Sequence, residues 1–178
     1  MLYAFGFDRL GVVVGDLYFV DPAPAPGQEG PEQGVRVELR VVEPGELRGS
    51  IYSARPIAIE RPVWRVDLLE SVDRPGTLDR AHHHPMFDGW EPSARRFVKA
   101  LSADPVGWLE ARLGNLGPVL RGARIAPSDV GPRDVDDVGR AAPEIVGTVR
   151  SLLDRIRAGE LARPPGDGPV DDARESWL

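Results

Sequence analysis

The chain has 178 residues, of which 42% are hydrophobic and 28% charged, with a net charge of −6. Leu, Ile, Val and Phe supply 48 residues, which excludes a wholly disordered chain. The acidic balance excludes generic nucleic-acid binding through a basic footprint, and the absence of Cys excludes disulfides, thiolate metal sites and a cysteine nucleophile.

Length alone argues for one domain. Asp8, Arg9 and Asp16 interrupt the first twenty residues, so no secretory leader is expected. No apolar run approaches the roughly 18 residues of a membrane span, and the expected location is the cytoplasm, with no membrane partner. Leu2–Phe7 and Gly11–Val20 are rich in β-branched and aromatic residues, which predicts an opening β-hairpin. Asp21–Gly34 carries four prolines and three glycines and is expected to form an extended, mobile loop. From Val35 the residues alternate as in a half-buried strand. Pro44-Gly45 marks a turn, Ile51–Ile59 an edge strand because of Pro56, and Val63–Ser71 a further strand. In that last strand Trp64, Val66 and Leu68 share one face and Arg65, Asp67 and Leu69 the other.

The second half changes period. A short helix is predicted over Ser93–Leu101, and Asp104-Pro105 has the chemistry of a helix start, with a carboxylate cap and a proline in the first turn. Trp108, Leu109, Leu113, Leu116 and Leu120 recur at helical spacing, with Gly114 and Pro118 expected to split the run. Pro143–Ala158 carries one apolar stripe, Ile145, Val146, Val149, Leu152, Leu153 and Ile156, which requires the sheet or a second subunit to cover it. Asp134, Asp136 and Asp137 read as a solvated helix start. Residues 163–178 are expected to be a disordered tail, with Trp177 and Leu178 as its large apolar residues. The expected fold is α+β: an antiparallel meander or partly open barrel to about residue 86, then three or four helices, in one domain over residues 1–162.

One segment suggests chemistry. His82, His83 and His84 are the only histidines and they are consecutive. Upstream, Arg74-Pro75-Gly76-Thr77 has the pattern of a type II turn. A hairpin closed there pairs Leu69 with His82 and Asp67 with His84, and puts Arg65, Asp67, Arg80, His82 and His84 on one face. His83 goes to the other face with Trp64 and Leu68. Two imidazoles two residues apart on a strand, with a carboxylate on the next, can hold a divalent transition metal such as zinc or iron. The ligands are then His82, His84 and Asp67, with Glu70, Asp79 and Asp88 as replacements in another register. Without a metal, the histidines serve as general acid and base, Asp67 orients an imidazole, and Arg65 or Arg80 stabilises a developing anion.

Three functions fit this sequence: a metal-dependent enzyme acting on a small molecule, a metal-free His/Asp hydrolase or toxin-like ribonuclease, and a non-catalytic interaction module that forms a homo-oligomer. Trp64, Trp90 and Trp108 are candidates for core or pocket, Asp88–Pro92 for a pocket rim, and Arg95-Arg96 for surface.

Overall fold

The computed structural model describes residues 1–44 and 57–164. Strands β1 (Leu2–Gly6), β2 (Leu10–Val20), β3 (Pro31–Pro44), β4 (Ile57–Ser71) and β5 (His82–His84) lie side by side in chain order and are all antiparallel. The sheet is an open meander with β1 and β5 at its edges. A small hairpin, β6 (Phe87–Asp88) and β7 (Glu91–Pro92), follows it. Helices α1 (Lys99–Ala103), α2 (Pro105–Gly114), α3 (Gly117–Gly122) and α4 (Asp134–Arg157) follow, with a short 3-10 turn over Pro127–Asp129 before α4. No described helix is long and apolar enough to cross a membrane.

Alternation decides what each face of the sheet does. Val12, Val14, Val35, Val37, Val66 and Leu68 turn into a core shared with α2, α3 and α4. The opposite face carries Arg36 and Glu38 on β3 beside Asp67 and Arg65 on β4. Helix α4 packs on β2, β3 and α2. Its stripe is thereby covered within the fold.

Asp104 caps α2 as expected, its carboxylate accepting the Gly107 N–H at 2.9 Å. The break between α2 and α3 also falls where Gly114 and Pro118 place it.

Several boundaries differ from expectation. Strand β3 begins at Pro31, paired with Val20, so the loop shortens to residues 21–30. Proline is tolerated as the first residue of a strand, where its missing donor costs least. Gly34 lies inside β3 at φ +156°, and a Cβ there would stand 2.1 Å from the Leu68 carbonyl oxygen. Glycine alone allows this approach of β3 to β4.

The helix expected over Ser93–Leu101 begins only at Lys99. Arg96 exchanges two main-chain hydrogen bonds with His83, at 3.1 and 2.9 Å, and so satisfies the outer edge of β5. Helix α4 starts at Asp134, nine residues before Pro143. Val138 and Ala142 extend the buried stripe upstream, and that burial outweighs the roughly 3 kcal/mol that an interior proline costs. Asp134 is not solvated. It is fully buried and accepts main-chain N–H bonds from Asp8, Arg9 and Gly131 at 2.8, 3.1 and 2.8 Å. Strand β4 is continuous from Ile57 through Pro62, with its register shifted near Arg40. The Pro44-Gly45 turn, the start of the strand expected over Ile51–Ile59, and the tail from residue 165 fall at least partly outside the described residues.

Candidate functional site

Strands β4 and β5 build the site. His82 pairs with Asp67, His83 with Val66 and His84 with Arg65. The Arg74–Thr77 turn forms, with Gly76 at φ +88° and the Thr77 N–H donating to the Arg74 carbonyl at 3.3 Å. It does not close the hairpin, because it sits within a longer connection over residues 72–81. There the Glu70 carboxylate accepts the Gly76 N–H at 2.7 Å and the Asp79 carboxylate accepts the Ser71 N–H at 2.9 Å. The expected register is therefore wrong by two residues. A shift of two leaves the alternation intact, so Arg65, Asp67, His82 and His84 still share a face. His83 turns to the helices and lies 5.1 Å from Trp108 between ring centroids.

The three candidate ligands converge on one atom. His82 Nε2 lies 3.4 Å, and His84 Nε2 3.5 Å, from Oδ2 of Asp67. One ligand atom from each of the three residues lies within 4.8 Å of the others, and all three residues are buried. His82 Nδ1 meets the Arg80 carbonyl at 2.8 Å, and His84 Nδ1 meets the Ser93 carbonyl. A carbonyl oxygen only accepts, so each Nδ1 carries a hydrogen, which leaves the Nε2 of each ring turned toward Asp67. Metal-binding histidines are fixed by the same kind of Nδ1–H bond to a carbonyl.

Asp67 is 1% exposed. Its carboxylate takes the Arg36 Nε at 2.7 Å and faces the Arg65 Nε at 3.1 Å. Burial is the largest influence and opposes the charge. The guanidiniums of Arg36 and Arg65, with contributions from His82 and His84, outweigh it and hold the carboxyl well below its usual range. Burial also pushes the His84 imidazole down, against the raising pull of Asp67. A neutral His84 accepts from Arg65, whose Nη2 lies 2.8 Å from its Nε2. His83 is pushed down to about 4, first by burial and then by neighbouring His84, Arg112 and Arg96.

Asp67, His82 and Arg65 lie on the wall of a cleft of about 390 Å³, at the small end of the range for ligand pockets. Trp90, at the tip of the β6–β7 hairpin and 60% exposed, stands on its rim. The other residues singled out in the sequence lie elsewhere. Arg80 directs its guanidinium at the carbonyls of Gly27 and Glu29, away from Asp67. Glu70 and Asp79 hold the 72–81 connection, and Asp88 is exposed in β6. Trp64 and Trp108 stack in the core, 6.1 Å apart.

Arg36, Glu38 and Arg40 were legible only as the polar side of an alternating strand, yet they line the cleft. The available signal was the charge of that side, unusual for a central strand. Arg95 also lines the cleft, bonded to buried Glu32 at 3.2 Å.

Fold and site together define an α+β protein with a buried Asp–His–His group, able to hold a metal ion, at the wall of a small cleft. Comparison with known proteins finds no matching family model, curated sequence or solved structure.

Proposed function

We propose that the protein is a metal-dependent enzyme acting on a small molecule, with Asp67, His82 and His84 as the three protein ligands of one divalent ion. The observation that carries this reading is the aim of two carbonyl-anchored imidazoles at a single carboxylate oxygen. Ring nitrogens and a carboxylate oxygen facing one another repel unless a proton or a cation lies between them. The spacing also suits an ion: bonds of about 2.1 Å at a tetrahedral centre put neighbouring ligand atoms about 3.4 Å apart, and the two N–O separations are 3.4 and 3.5 Å. Three protein ligands leave a position for water or substrate, whose oxygen the ion polarises. Zinc and iron both accept this donor set.

Arg65 now bridges Asp67 and His84. In this reading it withdraws as the ion enters and becomes available to stabilise a developing anion. Untagged protein, analysed by inductively coupled plasma mass spectrometry, is expected to carry about one equivalent of a transition metal. The His82→Ala/His84→Ala variant is expected to carry none while remaining folded by circular dichroism.

That same Arg65 contact favours a second reading, a metal-free site in which the guanidinium is the resident cation and the imidazoles exchange protons with substrate. Metal-free wild type that takes up no zinc or iron on dialysis against either ion would sink the first reading and leave the second.

A further inference from the structure

The walls of the cleft restrict what can reach the ion. Three of its arginines lie over aromatic rings: Arg40 is 5.6 Å from the Trp90 centroid, Arg65 5.8 Å from that of Phe87, and Arg95 5.4 Å from that of Phe19. Each pair presents flat surfaces, and an arginine guanidinium is itself planar. Phe87 and Trp90 both belong to the β6–β7 hairpin segment beside the sheet. Trp90 is 60% exposed although Arg40 lies over its ring, so much of the indole surface remains open to a ligand.

Charge gives the second restriction. The described lining holds four arginines and four carboxylates, and so is neutral before an ion enters. A divalent ion then adds two positive charges, only partly screened between protein walls. An anionic ligand offsets part of that charge, and its acid oxygens suit the positions that the ion keeps open. Size gives the third. About 390 Å³ suits one ring with its substituents better than an extended dinucleotide.

From these restrictions we infer that the cleft takes a small planar aromatic acid, its carboxylate toward the ion and its ring against Trp90. The inference rests on the metal reading, and the experiment keeps the two apart. Zinc-loaded full-length protein is first shown by mass spectrometry to hold its ion, then titrated calorimetrically with three probes of similar volume. Benzoate is planar and anionic, benzamide planar and neutral, and cyclohexanecarboxylate anionic and puckered.

Benzoate is expected to bind with a Kd of about 1 mM or tighter, and the other two about fivefold or more weakly. Trp90→Ala is expected to weaken benzoate about fivefold with zinc content unchanged, and Trp90→Phe to restore most of the loss. Equal affinity for benzamide would overturn the charge assignment, and equal affinity for cyclohexanecarboxylate the planar one. No benzoate binding by protein that holds its zinc would overturn the inference while leaving the metal centre standing. Failure to hold zinc at all refutes the underlying reading instead.

Discussion

Replacing Asp67 with Asn is the sharpest test of how the site is held together. The carboxamide keeps the shape and removes the charge that Arg36 meets at 2.7 Å and Arg65 at 3.1 Å. Removing one partner of a buried ion pair costs about 3–5 kcal/mol, because the other charge stays behind in a poorly solvated place. For a chain of this size, each kcal/mol moves Tm by about 2–4 °C, so a fall of roughly 6–20 °C is expected at pH 7 in EDTA. The pH profile gives an independent check. Asp67 has a folded pKa well below the ordinary carboxylate value, so the unfolded chain binds its proton first. Its contribution is complete above the unfolded value of about 3.9 and drains away as pH falls through the folded value. Asp67→Asn should lack this acid-side loss. Urea melts at pH 7 and across the acid range measure both effects. A loss below about 1 kcal/mol would refute the reasoning, since it would mean that water reaches the guanidiniums freely. Partial recovery in Asp67→Asn/Arg65→Met would identify the stranded charge as the source of the cost.

Other substitutions probe the frame around the site. Gly34→Ala drives a Cβ to within 2.1 Å of the Leu68 carbonyl oxygen, and should cost about 3 kcal/mol in urea unfolding through overlap and backbone strain. Asp134→Ala removes the acceptor of three main-chain N–H bonds and should cost about 3–5 kcal/mol by the same measurement. An Asn at position 134 should recover only part of this. His83 is held down to about 4 in the folded state, so the unfolded chain takes up that proton first as pH falls below about 6.5. Wild type should therefore lose stability between about pH 6.5 and 4, and His83→Leu should flatten that window in melts recorded with EDTA present.

The shared face of Arg65, Asp67, His82 and His84 could be read from the sequence because side chains alternate, and parity survives a register error of two. The register itself could not be read. It depends on how Glu70 and Asp79 fold the 72–81 connection around main-chain N–H groups, and a turn motif carries no such information. Arg36 was hidden for a related reason: it reaches Asp67 from β3, 31 residues earlier in the chain, and only strand pairing brings them together. At α4 the apolar stripe correctly marked the buried face, while Pro143 misplaced the start. There a local breaker competed with tertiary burial of Val138 and Ala142 and lost.

Two of the three candidate ligands stand on the shortest strand of the main sheet and the third on the longest, three residues against fifteen. Strand β5 is held by pairing with β4 and by the single bridge to Arg96, so its release disturbs few main-chain bonds. In the proposed reading, a charge seated between Asp67 and the imidazoles would rivet that light strand to the heavy one. Occupancy would then become a mechanical property of the sheet edge: the amides of His82 and His84, which face β4 while that of His83 is bonded outward to Arg96, should exchange their hydrogens more slowly as ion concentration rises, with the logarithm of the slowing set by the extra work of peeling the edge away.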